Sequence, residues 1–283
     1  MIQEAQLQSR WNSTTWDART ALHIIDTSGE GNRASYAMSV YCATTASCKT
    51  SFGNTEPPRP VTEKLYKRDY TFASTVGAGA IVRSNGIFEF TFTTPNMNPE
   101  TTDAIAEPTV RCDQIAGMRN SAGCVVVDAE PILDMRTRNV VPHAGHIGYA
   151  QSSGLPGAPN GTPLTRTMNN TIVQNNRNVS CNRVPGPRPA SRQCDEYPFA
   201  STLEGGGASG PARTYGNTDT DPCRQTMPPW VTVLAIPVPF FSSQGISMCM
   251  MPGRDNMRGG GILSWFYVKN RVLDGDTFYV KGL

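Results

Sequence analysis

Charge is scarce in this 283-residue chain: Asp, Glu, Lys and Arg together make up 17%, and the formal net charge is +2. So weak a balance lacks the strongly basic footprint of an obligate nucleic-acid binder. Histidine occurs three times, at His23, His143 and His146, and no Cys-x-x-Cys couple is present, which argues against structural zinc. Long apolar runs are also missing. The longest, residues 230–241, carries Pro237 and Pro239 and falls short of the ~18 apolar residues that a membrane helix needs. The first residues, MIQEAQLQSRWN, have no apolar core of the signal-peptide kind, so export information is expected upstream of this sequence. Lysine and leucine are few, whereas Gly (26) and Pro (22) are plentiful. That composition favours short strands and ordered loops over helical bundles.

Cysteine is present in an even number, eight. The residues fall as sequence neighbours, Cys42 with Cys48, Cys112 with Cys124, Cys181 with Cys194 and Cys223 with Cys249. Four local disulfides and an oxidising compartment are expected, although eight cysteines allow 105 pairings.

The length suits two domains. Residues 34–44, 64–75 and 86–94 alternate apolar and polar side chains and are rich in Tyr, Phe, Val and Thr, as half-buried strands do. A β-rich, sandwich-like domain is therefore expected over 1–108, ending in a Pro/Asn/Thr-rich linker at 94–108. The remainder, 109–283, reads as mixed α+β. It has helices near 146–151 and 168–180, the latter capped by Thr165 or Thr167, a buried strand at 230–239, a helical segment opened by Asp255-Asn256, and a closing strand at 277–281. Charge divides along the same line. Residues 1–108 hold 9 Lys+Arg against 11 Asp+Glu, and 109–283 hold 16 against 12, with Lys269 and Lys281 the sole lysines of the second part. Arginine's planar fork suits bidentate phosphate contact.

The most informative run is Cys194-Asp195-Glu196-Tyr197-Pro198-Phe199-Ala200. On an extended segment neighbouring side chains point to opposite faces. One of Asp195 and Glu196 is therefore expected to do chemistry and the other to orient an arginine or a backbone amide. CDEYPFASTLEGG at 194–206, Asp255-Asn256 with Gly259-Gly260-Gly261, and NRVLDGD at 270–276 with Phe278 and Val280 together resemble the NucA/NucB family of secreted bacterial deoxyribonucleases. His146-Ile147, Gly154-Leu155-Pro156-Gly157, Pro163-Leu164-Thr165-Arg166 and Asn176-Arg177 extend the resemblance over roughly 143–280.

That resemblance implies a ββα-metal variant fold, in which a strand end supplies the general base and a following helix the metal ligand. Carried onto this chain it makes Asp195 the base, with Glu196 a neighbouring carboxylate or alternate ligand. Asn256 and Glu204 become candidate metal ligands for Mg²⁺ or Mn²⁺. His146 is a candidate for activating water or orienting a carboxylate, on even terms with a hydrogen-bonded core residue; His143 and His23 are expected at the surface. Arg166, Arg177, Arg254, Arg258 and Arg271 are the candidate phosphate contacts, which would make cleavage of DNA sequence-nonspecific. The implied protein is a secreted nuclease. Two other readings stand beside it: a surface- or carbohydrate-binding protein on a decayed nuclease scaffold, and a toxin cartridge with an immunity partner. Between the EGG and DN motifs, residues 207–254 form an insertion expected to add a disulfide-stapled element beside the cleft.

Overall fold

The computed structural model describes residues 2–44, 48–51, 55–118, 121–183, 190–207, 212–214 and 245–283. Contacts divide the chain into two units, Met1–Ala129 and Glu130–Leu283.

The first unit is built of strands. β1 (Ile2–Ser9), β2 (Thr15–His23), β4 (Cys48–Thr50) and β6 (Leu65–Ser74) form one sheet in the order β1-β2-β6-β4. β3 (Ser35–Cys42), β5 (Arg59–Pro60), β8 (Gly86–Thr93) and β10 (Ile105–Ala106) form a second, β10-β8-β3-β5, with β9 (Glu100–Thr101) also on β8. Strict alternation buries Trp16, Ala18, Thr20 and Leu22 on β2 and Tyr36, Met38, Val40 and Cys42 on β3. The two inward faces meet: Phe72 of the first sheet sits edge-on to Phe88 of the second at 6.3 Å, and Tyr36 edge-on to Tyr66 at 6.1 Å. Full burial of each such ring contributes roughly 1.5–3 kcal/mol. The Cys42–Cys48 disulfide ties β3 to β4 and so joins the sheets.

The three strands expected here are all present, but the expected boundary after 108 is not where contacts divide. β7 (Ile81–Ser84), β11 (Val110–Asp113) and β12 (Gly123–Val126) make a third sheet, β12-β11-β7, with Cys112 opposite and bonded to Cys124. Backbone pairing thus holds 110–126 in the first unit. The stretch at 94–108 is not a linker either, because β9 and β10 complete hydrogen bonds along β8.

The second unit mixes helices and strands. β18 (Thr277–Lys281) lies between β13 (Ile132–Asp134), parallel, and β14 (Leu164–Thr165), antiparallel. β15 (Arg192–Tyr197) pairs antiparallel with β17 (Ile246–Pro252), which also takes β16 (Ala212–Thr214) in parallel. Three helices follow the expected positions: α1 (Val141–Ser152), α2 (Asn170–Val179) and α3 (Gly253–Lys269, continuing directly from β17). α2 is capped by Asn169, whose Oδ1 accepts from the amides of Thr171 and Ile172 at 2.9 and 3.4 Å, and not by Thr165 or Thr167. Leu133, Ile147, Leu155, Leu164, Tyr197, Phe266, Phe278 and Val280 share one core. The strand expected at 230–239 lies outside the described residues. No helix among the described residues is long and apolar enough to cross a membrane.

Candidate active site

β15 runs antiparallel to β17, and β17 feeds straight into α3, so the first residues of β15 are bordered by the start of that helix. Alternation along β15 buries Asp195 and Tyr197 and leaves Cys194 and Glu196 half-buried. Tyr197 anchors the strand: its hydroxyl donates to the carbonyl of Pro156 at 2.7 Å and accepts from Gln151 Nε2 at 2.9 Å. That approach needs Gly157, where φ is +110° and a Cβ would stand 2.1 Å from the Tyr197 hydroxyl. The Cys181–Cys194 disulfide pins the residue before Asp195 to the turn after α2.

Asp195 is 7% exposed. Its Oδ2 stands 2.6 Å from His146 Nδ1 and 3.9 Å from His143 Nε2. A carboxylate can only accept, so His146 Nδ1 carries the hydrogen in the shorter contact. His146 Nε2 meets the hydroxyl of buried Ser247, on β17, at 2.9 Å. Burial on its own pushes the Asp195 carboxyl up, but the two imidazoles and the Glu196 amide outweigh it and hold it below its ordinary value. Asp195 is therefore a buried anion. His143 shifts down, chiefly through burial, against the opposing pull of Asp195.

Glu196 turns the other way, accepting from the Ser180 hydroxyl at 2.5 Å at the end of α2. Burial first and the neighbouring Asp195 charge raise its carboxyl, partly offset by Ser180. The alternation expected of the pair holds in their supports, yet both carboxylates border the same cleft of about 750 Å³. Asn256, in the first turn of α3, lines it too. Its Nδ2 donates to Gln193 Oε1 and to the Cys194 carbonyl at 3.2 and 3.4 Å, which occupies the amide's donor and leaves Oδ1 without a hydrogen bond among the described residues, as a hard oxygen for a ligand. Among the described residues no group of three or more His, Cys, Asp or Glu side chains is arranged to hold a metal. One carboxylate plus one amide oxygen nevertheless suits Mg²⁺, which keeps several waters and takes further oxygens from substrate phosphate.

Other expected site residues separate. Arg166 and Arg177 line the cleft. Arg166 stacks over Tyr267 at 4.3 Å and donates to the Val272 carbonyl, and burial pulls its guanidinium below the usual value. Arg177 is exposed at the rim. Arg254 and Arg258 are exposed on α3 but are not among the cleft residues, and Arg271 is fully buried, so its side chain is closed to a phosphate. Glu204 is not a cleft residue: its carboxylate accepts from the Thr165 amide at 2.9 Å and fixes the loop. The glycines after it have a structural reason as well. A Cβ at Gly205 would lie 2.4 Å from the Phe199 carbonyl, and Gly206, at φ +70°, sits against Asn176, whose Nδ2 donates to the carbonyls of Ala200 and Thr202.

His143 departs most from expectation. It is 3% exposed, not a surface residue, and its ring borders the cleft. Its spacing from His146 was the available signal, since residues three apart on a helix share a face.

Residues 153–225 match the family model Deoxyribonuclease NucA/NucB. The NucA/NucB segment contains Arg166, Arg177, Asp195 and Glu196, whereas His143, His146 and Asn256 lie outside it. No curated protein and no solved structure matches the chain. Three of the four expected disulfides are present; Cys249 is also bonded, and its expected partner Cys223 lies outside the described residues.

Proposed function

We propose that the second unit hydrolyses DNA phosphodiester bonds as a metal-dependent, sequence-nonspecific endonuclease of a ββα-metal type, exported to an oxidising compartment. One observation carries the reading: inside the matched segment, Asp195 is kept as an anion at the wall of a polar cleft by two imidazoles. A site that had decayed to a binding scaffold would have no use for so costly a burial.

A phosphodiester is anionic and repels a carboxylate base. Arg166 and Arg177 offer positive charge to the backbone oxygens of the substrate and read no bases, so cleavage is expected to ignore sequence and to weaken with salt. Asp195 takes a proton from the attacking water as that oxygen bonds to phosphorus and the bond to the leaving sugar oxygen breaks. His146 fixes the carboxylate's orientation, with Ser247 fixing the ring in turn. Asn256 and Glu196 are the residues that would hold Mg²⁺ or Mn²⁺. The cation, when bound, neutralises phosphate charge and acidifies water, which an aspartate lowered below its ordinary pKa needs in order to act as a base.

The test is plasmid nicking by the full chain with Mg²⁺ or Mn²⁺, with and without chelator. Conversion of supercoiled to open-circular and then linear DNA is expected, abolished by chelator and restored by excess metal. Absence of nicking with either metal would overturn the reading.

A further inference from the structure

Beyond its pull on the Asp195 charge, His143 takes part in no step of the mechanism above, yet it is a buried polar group at the cleft. Neither Nδ1 nor Nε2 has a hydrogen-bond partner among the described residues. The ring is packed rather than loose: its centroid lies 6.3 Å from that of Phe199, and α3 presses so closely that a Cβ at Gly259 would stand 2.0 Å from His143 Nδ1. A glycine in the middle of α3 costs about 1 kcal/mol against alanine, so the close approach is maintained at the helix's expense. Burying two unsatisfied ring nitrogens costs more still. The ring belongs to the cleft lining, with Nε2 3.9 Å from Asp195 Oδ2. That gap is too long for a direct hydrogen bond. It is the right span for one oxygen placed about 2.8 Å from each group.

Resting on the nuclease reading of this cleft, we infer that His143 is a further catalytic residue: its Nε2 accepts one hydrogen of the attacking water while Asp195 takes the other. The two acceptors fix the oxygen's remaining lone pairs toward phosphorus. The proton budget is unchanged, with one proton passing to Asp195 and the departing sugar oxygen protonated by solvent. Phe199 and Gly259 act by holding the ring in place.

The test uses the full chain in the nicking assay. His143→Phe keeps ring volume and contact with Phe199 but removes both nitrogens; it is expected to lower kcat about 10²-fold, the scale of a lost proton-handling group, with KM for plasmid unchanged. His143→Ala opens a ring-sized space, and added imidazole is expected to restore part of the lost rate in that variant and none in His143→Phe. Wild-type kcat in His143→Phe overturns the inference. So does failure of imidazole to restore His143→Ala, which would mark the ring as packing alone. An inactive wild-type chain would instead bring down the nuclease reading, and this inference with it.

Discussion

Each unit of the chain buries a carboxylate, and the two behave in opposite ways. Glu107 in the first unit is 3% exposed, and neither of its carboxyl oxygens has a hydrogen-bond partner among the described residues. Burial alone pushes it up to about 8. Asp195 in the second unit is 7% exposed, and its two imidazoles reverse the effect of burial. Depth is thus nearly the same while the charge at neutral pH differs. Glu107 sits beside Phe72 and Gly86 in an apolar core, whereas Asp195 borders an open cleft with arginines and an asparagine. Burial marks a residue as constrained; partners and access to a cleft make it a candidate for chemistry.

That contrast can be broken first at Asp195. Asp195→Asn keeps the shape and removes the charge; nicking is expected to fall about 10³-fold, and retained activity would place the chemistry elsewhere. A smaller effect is expected at Ser247, which touches only the far side of His146. Ser247→Ala should slow nicking roughly 10-fold by loosening the imidazole that orients Asp195, without changing the metal requirement.

Glu107→Gln is expected to leave nicking unaltered and to change only the pH dependence of stability. A carboxyl raised in the folded state binds more protons folded than unfolded, so its contribution is complete below about 4.5 and is lost as pH rises through about 8. Thermal unfolding of the wild-type chain should therefore show its first-unit transition falling by several degrees between pH 5 and 9, and Glu107→Gln should flatten that fall. Asp195 has the reverse sign: its contribution is present above the ordinary aspartate value and lost as pH drops through the lower folded one. A first-unit transition independent of pH in the wild type would remove the comparison's basis.

Much of this was legible in the residues. Period-2 alternation located β3, β6 and β8, and the neighbour couples located three disulfides. β1 and β2 were missed because their sequences, IQEAQLQS and TWDARTALH, carry few β-branched or aromatic residues. The boundary was misplaced because β11 and β12 owe their membership to pairing with β7, a non-local fact. Motif resemblance pointed to Asp195, which lines the cleft, but it could not separate cleft residues from those that pack beneath them. Glu204, Gly205, Gly206 and Arg271 are framework, and His143 was passed over.

The sequence by itself determined where the extended segments run, which cysteines bond to their neighbours, and that one carboxylate of the Asp195-Glu196 pair would differ from the other. These follow from local rules: pleat alternation, short loops, and the chemistry carried by a motif. Only the tertiary structure decided what stands around Asp195. α1 contributes two imidazoles from some fifty residues upstream, β17 adds Ser247, and α3 brings Asn256 and the bare backbone of Gly259. Those neighbours set the carboxylate's charge, because a buried group's ionisation is fixed by what lies within a few ångströms of it and not by what adjoins it in the chain.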